Sequence, residues 1–543
     1  MKRSIPVLFA AGIALSSCTD DSAVRKAIST ITPDELRNYT MTLGSDSFMG
    51  RKPFTEGEKI TTEYLAGELK NIGFEPAFGD SWFQEVPMVE ISSAVEGPVV
   101  LNIGKEKLEL VTPDDAAVWS NARRERVSLR DIPMVFCGFG IVAPEYGWND
   151  YENTDVRGKC AVVLINDPGL YTGDTSLFRG RTMTYYGRWT YKFEEAARQG
   201  AAAVLIIHET TGAGYNYSIP RKSSITSRLY MNDLTDTRRD CEMTGWLNGP
   251  TADTIFGKLG YNIADLREKA CNRGYTGFDM HTRLSVDISN IMRYDSSVNV
   301  AGILRGSSKP DECVVVSAHW DHFGIGEKEN GDSIYNGAVD NGTTMAWAFE
   351  IGEAFSAMRR RPDRSVILFF PTAEEEGLLG SYYFTAHPPL PAENILACFN
   401  NDMLLAMGRM KDMMVTGYGQ SDLEDILADV VRKQNRYILP DPTPETGMYF
   451  RSDHFPFARI GVPALFARGN CDSREHGKEW ASAREQDFLK NYYHKPADNY
   501  YPEMNFEGIA EDASAVFEVA FRVATGEKRA SWKRGSEFAD IRA

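Results

Sequence analysis

The sequence is poor in several things that would point elsewhere. Eight cysteines are scattered over 543 residues and no two make a CxxC pair, so a thiolate zinc site is not supported. A chain of this length can build large buried cores and does not need disulfides as staples. Cys137, Cys160, Cys313 and Cys398 lie in apolar, strand-like runs and read as small core residues, Cys471 sits in a polar stretch, and Cys241 and Cys271 are the pair that a disulfide could join. Basic residues are outnumbered, 59 Lys plus Arg against 76 Asp plus Glu, for a net charge of -17. That balance argues against nucleic acid, whose partners carry a basic stripe. No stretch approaches ~18 continuous apolar residues, so no membrane-spanning helix is expected. No internal repeat is visible. His208-Glu209 lacks the second histidine of HExxH, because position 212 is Gly. What remains is ordinary for a globular protein, 43% hydrophobic and 25% charged, which excludes disorder as the dominant state. At ~100–200 residues per domain, the length suggests two to four domains.

The start of the chain reads as a leader. Lys2 and Arg3 precede a mostly apolar run from Ile5 to Leu15, too short to span a bilayer and right for a signal-peptide core. The run ends Leu15-Ser16-Ser17-Cys18, which resembles a bacterial lipobox. The resemblance implies removal of residues 1–17 and lipidation of Cys18, leaving a protein anchored in the bacterial cell envelope, periplasmic or surface-exposed. An ordinary secretory signal with a chance cysteine is the alternative.

Beyond the leader the pattern is α/β with something inserted. Thr32-Pro33-Asp34-Glu35 reads as a capping box with Pro at the first helical position. A second helix is expected near 58–72, with Gly73 as its stop. From 95 to 286 the texture changes to short β-rich runs among Gly, Pro, Tyr and Asn, with one helix near 191–199. After Ser297, strands alternate with helices. Strands are expected at 298–304, 313–317, 366–370, 395–399 and 462–466, and helices at 343–357, 421–434 and 506–524. In the last helix Ile509, Ala513, Val516, Phe517, Ala520 and Val523 form an apolar stripe that packs a core. Such alternation predicts a mostly parallel sheet covered on both faces. The tail after Gly526 is polar and reads as weakly ordered.

In such sheets, sites form beyond the carboxyl ends of the strands. Three expected strands run directly into polar clusters there: His319-Trp320-Asp321-His322, Glu374-Glu375-Glu376 and Asn400-Asn401-Asp402. Asp340 opens a helix, and His494 follows in Tyr493-His494-Lys495-Pro496. Alone, Asp340 would be an N-cap and a run of three Glu a solvated face. Directly after a buried strand, three carboxylates are costly unless something cationic compensates them. Two histidines and three carboxylates, with no thiolate near, suit a hard-to-borderline divalent ion.

These pieces in order resemble the dinuclear zinc exopeptidase family, which includes secreted bacterial aminopeptidases and glutamate carboxypeptidase II. They are His319-Trp320-Asp321; Gly337 to Gly342, reading GAVDNG; Glu374 to Ser381, reading EEEGLLGS; Asn400-Asn401-Asp402-Met403; Ser452-Asp453-His454; and His494 to Asp498. The resemblance covers roughly 31–525. It implies a three-layer α/β/α sandwich with a mostly parallel mixed sheet. Gly140 to Tyr146 and Asp155 to Cys160 look like a protease-associated domain, an insert that usually shapes access and holds no catalytic group. The chain then divides into a signal peptide (1–17), a lipidated tether with the first part of the peptidase domain (18–94), the insert (95–286), the main peptidase part (287–526) and the polar tail (527–543).

The resemblance also implies roles. Asp340 would bridge two zinc ions; His319 and Asp402 would complete one and Glu375 and His494 the other. Glu374 would be the general base, and Asp321 would orient the His319 ring. Tyr449 matches the tyrosine that stabilises the oxyanion in some relatives. Arg451, close to Tyr449, reads as an exposed arginine, with a place facing the substrate as the alternative. A cis bond is expected between Asp340 and Asn341. The function implied is hydrolysis of terminal peptide bonds, as an aminopeptidase acting on peptides. Three alternatives stay open: carboxypeptidase action by the same machinery, a glutaminyl cyclase on the same fold, which uses one zinc, and a non-catalytic receptor ectodomain, although such relatives lose ligands.

Overall fold

The computed structural model describes residues 22–233, 240–526 and 529–542. The leader 1–17 and Cys18 lie outside the described residues. Among these residues no helix is long and apolar enough to cross a membrane. The chain forms two compact units. One combines the residues up to Val86 with Ser297–Asp441 and the residues from Ser452 onward; the other combines Pro87–Ser296 with Pro442–Arg451.

The sheet of the first unit carries the site. Its strands lie in the order Glu75–Pro76, the C-terminal part of Phe278–Leu304, Arg364–Phe370, Lys309–Ser317, Ile395–Asn400, Ala464–Arg468, Asp412–Val415 and Tyr437–Pro440. The four central strands, Arg364–Phe370, Lys309–Ser317, Ile395–Asn400 and Ala464–Arg468, run parallel. Their inner stretches, 366–370, 313–316, 395–399 and 464–467, are continuous apolar runs rather than alternating ones, as a sheet covered on both faces requires. Successive residues divide between two cores. Val314, Val316, Val366, Leu368 and Phe370 pack with helices Thr344–Ser356 and Glu507–Thr525. Cys313, Val315, Ile367 and Phe369 pack with Phe384 and Phe457 from helices Leu379–Ala386 and His454–Arg459. This is the expected three-layer arrangement.

Local signals act as read, with one change of partner. Thr32 caps the helix Pro33–Leu43 by accepting the Glu35 N–H at 3.2 Å. The return bond of a capping box is absent, because the Thr32 N–H donates to buried Glu350 at 2.6 Å. The helix Glu56–Asn71 ends before Gly73, whose φ of 87° puts it in the left-handed region.

The second unit is less purely β than expected. Strands 134–136, Cys160–Leu164, Ala203–Ile207 and Met243–Leu247 are mutually parallel. Helices Gly249–Lys258 and Ile263–Ala270 join the expected Trp189–Arg198. These helices are short and lie among turn residues, which obscures their 3.6-residue period. The unit also begins and ends outside 95–286, at Pro87 and Ser296. Strands Phe83–Val95 and Phe278–Leu304 continue through those boundaries, so no change of composition marks them. The segment Pro442–Arg451 joins this unit rather than the peptidase part. The Met183 N–H donates to Pro444 O at 3.2 Å, and Arg181 pairs with Glu445 at 3.5 Å.

The tail departs from expectation in its described residues. Phe538 is buried, Trp532 Nε1 donates to Gly461 O at 3.0 Å, and Arg542 Nη1 donates to Ile395 O at 2.9 Å. Two aromatics within a polar stretch suffice to dock it. The described cysteines are all free thiols, including Cys241 and Cys271.

Candidate metal centre

The loops leaving the parallel strands converge at their carboxyl edge, as such sheets dictate. Ser317 leads into His319, Asp321 and His322, Phe370 into Glu374 and Glu375, and Asn400 into Asp402. Asp340 sits in the tight turn Ala338–Thr343 that opens Thr344–Ser356. Its bond to Asn341 is cis, as the resemblance implied. Gly337 starts the turn at φ 55°, and a Cβ there would lie 2.1 Å from Asp340 O, so only glycine fits. The Asp498 carboxylate anchors the turn by accepting the N–H groups of Val339 and Asp340, each at 3.0 Å. His494 arrives from the loop after helix Gly477–Asn491.

Ligand spacing is the informative quantity. Two donors about 2.0–2.1 Å from one tetrahedral ion stand roughly 3.3 Å apart. His319 Nε2 lies 3.4 Å from Asp340 Oδ1 and 3.5 Å from Asp402 Oδ1. His494 Nε2 lies 3.3 Å from Asp340 Oδ2 and 3.2 Å from Glu375 Oε2. The two oxygens of Asp340 thus face two separate donor groups. The nearest Glu374 oxygen to His319 Nε2 is 3.8 Å away, outside this spacing. His319 Nδ1 lies 3.1 Å from the carbonyl of Asp321 and donates to it, which turns Nε2 toward the carboxylates. That buried Nε2 has no hydrogen-bond partner among the described residues. The donor set and its spacing fit a pair of divalent cations.

Two expected roles change in detail. Asp321 touches the His319 ring with its main-chain carbonyl, while its carboxylate accepts the N–H of Glu374 at 2.9 Å and of Glu375 at 3.3 Å. It therefore fixes the two-glutamate loop as well as the ring. His322, without an assigned role in the sequence, lies with Nδ1 2.8 Å from Glu375 Oε1. It holds the carboxylate that faces His494, and its place three residues after His319 was the available signal. Behind the site, buried Asp453 accepts from Ser381 Oγ at 2.5 Å, and His454 is buried with its ring 5.1 Å from Phe466.

The electrostatics ask for cations. Burial leads the causes that push Glu374 well above the carboxylate range, and Asp402, Asp453 and Glu375 add to it. Burial likewise lifts Asp321 to about 8 and Asp453 to about 7. Against the same burial, His319 and His494 hold Asp340 well below its usual value, and His494 and His322 hold Glu375 down at about 2. A cluster of buried carboxylates this dense is unfavourable without compensating positive charge. The His494 side chain is 34% exposed and Asp402 is 14% exposed, so the centre opens to solvent on their side.

Tyr449 lies in the short turn Met448–Phe450 of the segment that folds with the second unit, and it is buried there. Arg451 is half-buried rather than exposed: its Nη2 donates to Thr446 O at 2.8 Å and its guanidinium lies 5.5 Å from the Tyr215 ring.

Residues 299–517 match the model of peptidase family M28. Carboxypeptidase Q of Xenopus laevis is 26% identical over 239 residues, 44% of this chain and 41% of its own. Aminopeptidase NAALADL1 of Rattus norvegicus is 32% identical over 146 residues, 26% of this chain and 17% of its own. The chain therefore spans less than half the length of these relatives. The solved aminopeptidase from Aneurinibacillus sp. strain AM-1 aligns over 93% of this chain and 97% of its own, at 16% identity and a TM-score of 0.48. The segment that matches the peptidase family M28 model contains His319, Asp340, Glu375, Asp402, His494 and the adjacent Glu374.

Proposed function

We propose that this chain is a zinc-dependent exopeptidase, acting as an aminopeptidase on peptides with a free N-terminus. The observation that carries the reading is the pair of donor groups facing the two oxygens of Asp340 at 3.2–3.5 Å. His319 and Asp402 would hold one zinc ion, Glu375 and His494 a second, and Asp340 both. Bound there, two zinc ions would polarise the scissile carbonyl and lower the pKa of a shared water towards ~7.

The residues of the chain supply the rest. Glu374 stands beside the ligands without sharing their spacing, and its main-chain N–H is tied to Asp321. It takes the proton of the attacking water and delivers it to the leaving amine. Asp321, His322 and Asp498 hold the ligand loops in place. The oxyanion role of Tyr449 rests on its sequence position, three residues before Ser452. The reading of Pro87–Ser296 as a protease-associated domain rests on the motifs at 140–146 and 155–160. Anchoring at Cys18 in a bacterial cell envelope rests on the leader sequence.

Turnover of matched dipeptides with free and blocked N-termini tests the activity. Cleavage of the free set alone is expected. Cleavage of neither set would refute the peptidase reading, and cyclisation of N-terminal glutamine without peptide cleavage would replace it by a cyclase.

A further inference from the structure

Arg51 is wholly buried, and among the described residues its guanidinium donates to main-chain carbonyls alone. Nε donates to Trp320 O at 2.9 Å. Nη1 donates to Leu43 O at 2.7 Å and also to Asn336 O. Nη2 donates to Gly337 O at 3.0 Å and Asp340 O at 3.3 Å. The Arg51 carbonyl in turn accepts the His322 N–H at 3.1 Å. A guanidinium presents its N–H groups in a rigid planar fork, so these bonds fix the relative position of whatever they join.

What they join is specific. Trp320 stands between His319 and Asp321, while Asn336, Gly337 and Asp340 make the turn that presents the Asp340 carboxylate. His319 and Asp340 stand 21 residues apart in sequence, and the two segments contribute different donors to one ion position, 3.4 Å apart. The side chain is brought in by an unusual turn. Met49, Gly50 and Arg51 all have positive φ, at 51°, 67° and 52°. A Cβ on Gly50 would lie 2.5 Å from Gly324 O and 2.7 Å from Tyr335 O, so the backbone can pass there only as glycine. Two non-glycine residues held left-handed beside it mark a conformation kept by its surroundings. Burial pulls the guanidinium down to about 10, opposed by Asp340, Asp498, Asp321 and Glu375.

We propose that Arg51 is a positioning residue of the metal centre, a clamp that sets the distance between the His319 segment and the Asp340 turn. The proposal rests on the metallopeptidase reading above. The work is done by the fork rather than by the charge alone, because a guanidinium spreads five donors in a fixed plane where an ammonium offers three from one point.

The test compares wild-type enzyme with Arg51→Lys and Arg51→Met. Zinc affinity is measured by competition with a chromophoric chelator, the fold of the metal-free protein by circular dichroism and thermal unfolding, and turnover by separate kcat and KM. Partners that orient ligands typically contribute about 10–100-fold to metal affinity or activity. Both variants should fold without metal, bind zinc at least about tenfold more weakly, and lose kcat about 10–100-fold with KM little changed. Lysine should not rescue. Wild-type zinc affinity and kcat in both variants would overturn the proposal. Full rescue by lysine would overturn the clamp in favour of a charge effect. Loss of the fold in both would assign Arg51 to stability and overturn it as well. Wild-type protein that takes up no zinc and cleaves no peptide would overturn the metallopeptidase reading, and this inference with it.

Discussion

The neighbouring carboxylates Glu374 and Glu375 should separate cleanly on substitution by glutamine. Glu374 lies 3.8 Å from His319 Nε2, outside the ligand spacing, and its backbone is held by Asp321 through an N–H bond of 2.9 Å that glutamine keeps. Glu374→Gln changes no volume and removes no ligand, so zinc content should stay at its wild-type level. What it removes is the base. A positioned general base contributes ~10²–10⁴-fold, which at ~1.36 kcal/mol per tenfold is about 2.7–5.4 kcal/mol of transition-state stabilisation. The loss should appear in kcat. Glu375 has one oxygen 3.2 Å from His494 Nε2 and the other 2.8 Å from His322 Nδ1. Glu375→Gln removes the negative charge and leaves a single acceptor oxygen to serve both the His494 side and His322, so zinc should be lost along with activity. The assay is elemental analysis and steady-state turnover of a chromogenic aminoacyl substrate on the same preparations. Both variants keeping full zinc and near-normal rates, or Glu374→Gln losing zinc while Glu375→Gln keeps it, would refute the assignment.

Other outcomes follow from the same geometry. Wild-type protein should hold two zinc ions per chain, and stripping them with a chelator should lower its Tm, since a ligand at ~1,000 times its Kd adds about 4 kcal/mol; a single tight ion with full activity would rule out the dinuclear centre. Asp512→Ala should destabilise the fold by about 3–5 kcal/mol, because it strands the buried Arg436 that it meets at 2.6 Å, and a urea midpoint within error of wild type would contradict this. Burial lifts Glu350 to about 8. Its raised folded pKa makes the native state bind the extra proton, so wild-type stability should fall as pH rises from about 4.5 towards 8. Glu350→Gln should therefore gain on wild type across that range, and parallel stability curves would count against it. Cys18→Ala should abolish acyl labelling and membrane fractionation; unchanged fractionation would remove the lipid anchor.

Much of the site was legible because its donors leave strands that are themselves obvious. Continuous apolar runs such as 313–317 and 366–370 can only be buried central strands here, and a polar cluster directly after one lies at the sheet edge. The resemblance carried by the ordered motifs then implied how those donors would pair. Two things resisted. Arg51 and Asp498 act through backbone groups, and a side chain bonded to distant carbonyls leaves no periodicity or spacing to read. The boundaries of the second unit resisted too, because long strands continue across them and Pro442–Arg451 joins that unit through contacts distant in sequence.

The sequence by itself determined the class of fold, the edge of the sheet where chemistry gathers, and the kinds of atom present there: imidazole nitrogen and carboxylate oxygen, no thiolate. These follow from local patterns, since strand burial, helix capping and donor chemistry depend on residues close in sequence. Only the tertiary structure decided that Asp340 faces two donor groups, that His322 holds Glu375, that Asp321 serves two segments at once, and that the polar tail docks through Trp532 and Phe538. Those are distances between segments tens to hundreds of residues apart, and they are fixed by close packing, which no short-range pattern encodes.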